Sequence, residues 1–144
     1  MAQGVVYPYS ADKTLFLVNG VPMTGLEGDE AVLIEPLSDL AVSKPGLDRA
    51  VSVSSSIDDR VKITLRLKRG SPSNDVLNGF QKISGIRGLA FAAINVQNLL
   101  ERNILAAPQC WFLRRPNLSW AEEATPVEWT WEGVPAFWNF GGAF

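Results

Sequence analysis

Val61-Lys62-Ile63-Thr64-Leu65-Arg66-Leu67-Lys68 decides the fold class. Val61, Ile63, Leu65 and Leu67 fall on one side of an extended chain, and Lys62, Thr64, Arg66 and Lys68 on the other. A period of two held over eight residues is the signature of a strand with one face on a core and one on water or acidic partners. Gly70-Ser71-Pro72-Ser73 ends the run. Ser73 is a suitable helix cap, and Asp75 suits the positive end of a helix. Val76, Leu77, Phe80 and Ile83 then recur at helical spacing, so a short helix follows, ending near Ser84-Gly85.

Upstream, Thr14 to Val18 is a β-type run closed by Asn19-Gly20, the pair that supplies the positive φ angles of a type I′ turn. A return strand over 21–26 and a strand at Ala31 to Ile34 follow, the latter closed by Pro36. Residues 38–50, with Pro45-Gly46 and scattered Leu40, Val42 and Leu47, are long for a hairpin loop and read as a projecting arm. Arg49 to Ser55 alternates weakly, Val51 and Val53 against Ser52 and Ser54. Downstream, 89–96 and 109–113 read as strands, while 97–108 admits a helical turn or a hairpin tip. Val127, Trp129 and Trp131 alternate with Glu128 and Thr130 in a last strand. Seven or eight strands and one helix make the chain mainly β, an antiparallel β-sandwich or barrel with one short flanking helix. At 144 residues it is read as one domain spanning 1–144.

The composition excludes much chemistry. There is no histidine and a single cysteine, Cys110, so no Ser-His or Cys-His nucleophile, internal disulfide or cysteine metal cluster can form. The longest apolar run, Leu89 to Ile94, is far short of the ~20 residues that span a bilayer as a helix. No enzymatic activity, catalytic residue, metal or cofactor is expected. The remaining motifs have plain readings. Gly20, Gly25 and Gly28 lack the Lys-Ser/Thr of a phosphate loop. Glu27, Asp29 and Glu30 lack the calcium-loop pattern. Asp58-Asp59 is either an acid pair or a turn bonded to Arg60 or Lys62. Gly85-Ile86-Arg87-Gly88 has the spacing of a nucleic-acid clamp but runs into β-rich sequence.

Charge is sorted along the chain. The net charge is −2, yet residues 1–59 carry −6, 60–115 carry +8 and 116–144 carry −4. The blocks can neutralise each other within one fold, meet between subunits, or leave the basic block for nucleic acid. Charged residues are only 19% of the chain, and seven of its fourteen aromatics lie in 116–144, including Trp120, Trp129, Trp131 and Trp138. The Gly-rich tail 133–144, with Phe137, Trp138, Phe140 and Phe144, either docks on a neighbour or folds back onto its own domain.

The hairpin Phe16-Leu17-Val18-Asn19-Gly20-Val21, Thr24-Gly25-Leu26 with Gly28-Asp29, the arm, Val61 to Leu65 and Ser71-Pro72-Ser73-Asn74-Asp75-Val76-Leu77 occur in an order that resembles the tail tube proteins of contractile-tailed bacteriophages. The resemblance covers roughly 14–97, and the chain end loosely through Glu128-Trp129-Thr130-Trp131 and Gly141-Gly142. It implies a structural virion protein, made in the host cytoplasm, that self-assembles into stacked hexameric rings with a lumen for DNA ejection. Its implied partners are its own copies, the sheath, the tape-measure protein, and baseplate and terminator proteins, with DNA passing unbound and no membrane involved. Residues 38–56 match the arm that reaches an adjacent ring. Related tubes occur in R-type bacteriocins and type VI secretion systems. The alternatives are another tail component (a terminator, baseplate or fibre-associated protein) or a nucleic-acid-binding β-barrel.

The expected subunit interface is Leu40, Val42 and Leu47 of the arm, Lys62, Arg66 and Lys68 of the basic face, and Phe137, Trp138, Phe140 and Phe144 of the tail. A conduit for DNA must not hold phosphates. The basic face is therefore expected to pair with acids of the 27–59 block or to point at the sheath, so that Lys62→Glu or Arg66→Glu eases salt-dependent disassembly.

Overall fold

The computed structural model describes residues 14–26, 31–55, 57–86, 91–98, 104–120 and 122–139. Among these residues, ten strands and one helix follow in the order β1 (Thr14–Val18), β2 (Val21–Pro22), β3 (Val32–Pro36), β4 (Ala41–Pro45), β5 (Val51–Ser55), β6 (Val61–Leu67), α1 (Ser73–Ile86), β7 (Phe91–Asn98), β8 (Ile104–Arg114), β9 (Val127–Val134) and β10 (Phe137–Asn139). β4 and β5 form a separate two-stranded sheet. The others form an antiparallel sheet ordered β2-β1-β7-β8-β9-β6-β3, with β10 added on β8.

That sheet folds over on itself. β8 is eleven residues long and is shared between two layers. Its first residues pair with β10 and its last with β9, while β7 runs along its other side. β1 and β9 are three strand spacings apart along the sheet, ~14 Å. Yet the rings of Phe16 and Trp131 lie 5.8 Å apart. The two layers therefore face each other as a sandwich, and Phe16, Val18, Ile63, Leu65, Ile94, Leu105, Trp129 and Trp131 fill the space between them. The inward set of β6 is the one its alternation assigns.

Local chemistry accounts for the joints. Asn19 and Gly20 adopt φ of 52° and 81°, and Val18 pairs with Val21, so the two-residue I′ turn forms as expected. Asn19 also accepts the Ala93 amide through Oδ1 at 2.8 Å, which ties the turn to β7. β2 stops at Pro22, which has no amide to donate, rather than continuing to residue 26. Gly25 sits at φ 70°, and a Cβ there would lie 2.7 Å from the Ser71 side chain. The helix is capped two residues earlier than expected. Ser71 Oγ accepts the Ser73 amide at 3.2 Å, while Ser73 Oγ accepts the Thr24 amide at 2.8 Å. The Ser-Pro-Ser passage thus starts the helix and pins the β2–β3 connection to it.

Three stretches go beyond the sequence reading. The ambiguous segment 97–108 takes the hairpin alternative: β7 continues to Asn98, β8 begins at Ile104, and Gln97 pairs with Ile104. Pro108 sits within β8 where the register with β7 shifts, the kind of irregularity that admits a proline inside a sheet. β9 extends through Gly133 and Val134. The first part of the tail then turns back, and β10 pairs Phe137 with Ala106 and Trp138 with Leu105. Of the two readings of the tail, these residues take the second. Phe140 and Phe144 lie outside the described residues, as do Gly28 with its acidic neighbours and the second glycine of Gly85-Ile86-Arg87-Gly88.

Candidate assembly surface

The arm expected over 38–56 is present and is an ordered hairpin. β4 pairs with β5 from Ala41↔Ser55 to Pro45↔Val51. Cross-strand partners share a face, so Ala41, Ser43, Pro45, Val51, Val53 and Ser55 form one side and Val42, Lys44, Ser52 and Ser54 the other. All ten strand residues are exposed. So are Leu40, Leu47 and Ile57. The tip is tightly bonded: Gly46 N donates to Ala50 O at 2.7 Å, Arg49 N to Gly46 O at 3.2 Å and Ala50 N to Asp48 Oδ1 at 3.2 Å. Arg49 sits at φ 68°, in the left-handed region that few residues other than glycine visit.

Where the arm leaves the sandwich, polar groups clamp its two legs. Ser38 donates to Asp58 Oδ2 at 2.6 Å. Arg60 takes both Asp58 oxygens at 2.9 Å and reaches Glu132 of β9 at 2.8 Å. The leg-to-leg bond from Leu37 N to Arg60 O is 3.1 Å. Hydrogen bonds from Arg60, then from Ser38, hold the Asp58 carboxyl well below the usual carboxylate range. The same pairing raises the Arg60 guanidinium further above its ordinary value. Of the two readings of Asp58-Asp59, the turn bonded to Arg60 is the one present. Among the described residues no three acidic or thiol groups gather as a metal site.

Two cations of the basic face stand beside carboxylates of the same chain. Lys62 stands in register between Glu35 of β3 and Glu132 of β9. Arg66 stands opposite Glu128 and bonds it at 3.3 Å. The acid on Arg66 thus comes from the C-terminal block and not from 27–59, because β9 lies beside β6. Lys68 lies past the end of β6 and is exposed. Of the tail residues, Trp138 is half-buried against the core and Phe137 is exposed.

The segment between β8 and β9 carries a feature that the sequence did not mark. Arg69 bonds Ser119 O and Thr125 and lies 5.3 Å over the ring of Trp120. Trp120 is nevertheless 84% exposed. A cleft of about 360 Å³ is lined by Arg114, Asn117, Ser119, Thr125, Glu128 and Thr130. Cys110 is buried, and burial pushes its thiol up to about 11, so it is a packing residue as expected. No described helix is long and apolar enough to cross a membrane.

The sandwich, helix and arm together can be set against known folds. The chain shares its fold with a tube cap. The cryo-EM structure of the anti-feeding prophage cap, the cap that terminates the tube of that particle, superposes with a TM-score of 0.57 at 10% identity. The match covers 93% of this chain and 92% of that one, so it includes nearly the whole of both. No protein-family model matches the chain, and no curated protein matches it in sequence.

Proposed function

We propose that the chain is a structural, ring-forming subunit of the tail tube of a contractile phage-type particle, without enzymatic activity. The observation that carries this reading is the arm. A lone two-stranded hairpin is marginal in water, and this one exposes Leu40, Val42, Val51 and Val53 with no described core residue beneath it. A surface of that kind is stable when other copies cover it. The open sheet supports the same reading, because β3 and the short β2 are edges, which invite further pairing unless a ring closes over them.

In this reading hexameric rings stack into a tube inside a sheath, with baseplate and terminator proteins at its ends and the tape-measure protein and DNA in its lumen. The balanced charges on β3, β6 and β9 suit a conduit, since cations set against carboxylates have little hold on phosphate. Phe137 and the exposed arm residues belong to the contacts between copies.

A second reading has its own support. The fold neighbour terminates a tube, so the chain can be the ring that ends a tube instead of one that repeats along it. Electron microscopy of the purified chain separates the two. Long hollow tubes support the first reading, and discrete rings that never stack support the second. A monomer at high concentration overturns both, and salt-sensitive DNA binding by that monomer would favour a nucleic-acid-binding barrel.

A further inference from the structure

The hairpin tip and the hairpin base are complementary, and one chain cannot bring its own together. Leu47 at the tip has an exposure of 109%, a side chain with no protein around it. The bonded turn and the left-handed Arg49 fix the loop that presents it. At the base lies a cleft of about 190 Å³, walled by Pro36, Leu40, Pro135 and Trp138 and rimmed by Asp58, Asp59 and Arg60, whose guanidinium is already taken by Asp58 and Glu132. It is smaller than the ~300–1,000 Å³ of small-molecule sites, a size that suits one side chain. The charges also match. Asp58 is committed to Arg60 and Ser38, but Asp59 at the rim and Arg49 at the tip make no ion pair with any described residue. Five paired residues hold tip and base ~17 Å apart, so the partner is a second copy.

We infer that the arm tip of one copy seats Leu47 in the arm-base cleft of the next, with Arg49 on Asp59. This inference rests on the assembly reading above and names its contact. Every copy both gives a tip and offers a cleft. Such a head-to-tail contact makes a closed ring if its rotation closes and an open filament if not.

The test mixes two single-cysteine variants, Leu47→Cys and Asp59→Cys, under mild oxidation, with assembly followed by electron microscopy. Buried Cys110 stays silent. The expected result is a disulfide-linked dimer that neither variant forms alone, and a ladder of larger species from the double variant. Leu47→Asp should raise the concentration needed for assembly by roughly thirtyfold, as loss of an interface anchor does, with the circular dichroism of the monomer unchanged. Arg49→Glu should weaken assembly, and adding Asp59→Arg should restore it. Wild-type rings or tubes that form while the mixed variants never cross-link, or Leu47→Asp assembling like wild type, overturn this contact and leave the assembly reading standing. A wild-type chain that forms no particle overturns both.

Discussion

The ring of Phe16 on β1 lies 5.8 Å from that of Trp131 on β9, tilted 35°, and this contact joins the two layers of the sandwich. Both side chains are fully buried. Phe16→Ala should therefore destabilise the monomer by about 3–5 kcal/mol, the usual cost of emptying a buried aromatic site. Denaturant unfolding measures it. A loss below ~1 kcal/mol would mean that the layers are not packed through this pair.

Trp129 and Trp131 sit two residues apart and differ at the indole nitrogen. Trp129 Nε1 donates to Asn74 Oδ1 of the helix at 3.0 Å, whereas the buried Trp131 Nε1 has no hydrogen-bond partner among the described residues. Asn74→Ala strands a buried donor and should cost ~1–3 kcal/mol. Trp129→Phe should remove most of that penalty in the Asn74→Ala background, so the two changes should be clearly non-additive. Additive losses in a double-mutant cycle would show that this bond does not couple helix to sheet.

The parts legible in the sequence were those set by local pattern. The alternation of Val61 to Leu67 gave the inward face of β6, Asn19-Gly20 gave the hairpin, and Val76, Leu77 and Phe80 gave the helix stripe. What stayed hidden depends on which strands meet. Glu128 and Glu132 belong to a segment more than sixty residues beyond Arg66 and Lys62, and only the β6–β9 pairing makes them partners. Pro108 concealed the length of β8, because a proline argues against a strand unless a bulge receives it. The arm was legible as an excess of apolar residues in a Pro-Gly stretch, but its pairing and its clamp were not. The Arg69–Trp120 contact left no sequence signal, since neither residue lies in a periodic run.

The Arg66–Glu128 pair changes the expected effect of salt. Both groups are partly exposed and lie within one chain. Arg66→Glu should therefore lower monomer stability by no more than ~1 kcal/mol, and less at high ionic strength. Its effect on particle disassembly should be small. Salt titrations of unfolding and of assembly, run side by side, separate the two. A large shift confined to assembly would place Arg66 between subunits.

The apolar side chains of the arm should matter for assembly and not for folding. Leu40, Val42, Val51 and Val53 are each exposed by more than half. Replacing any one with Ser should change monomer stability by less than about 0.5 kcal/mol, as for other exposed sites. Replacing all four should abolish rings and tubes while the monomer melts at its usual temperature. A combined variant that still assembles would remove the arm from the interface and with it the main support for the proposed function.

The Asp58 clamp makes a prediction about acid. Its folded pKa is depressed by Arg60 and Ser38. The stability this adds is fully present above the ordinary aspartate value of ~3.9 and is lost as pH falls through the depressed value. Between those limits the unfolded chain takes up a proton that the folded chain refuses, so stability declines with falling pH while the clamp itself stays ionised. Asp58→Asn should be less stable than wild type at neutral pH, and the difference should shrink in acid. A carboxyl carbon titration followed by NMR gives the direct reading: the Asp58 signal should show no inflection near pH 4. An ordinary inflection there would mean that the legs of the arm are not clamped, because the bidentate Arg60 contact, the Ser38 hydroxyl and the Arg60 amide hold the carboxylate charged at that pH.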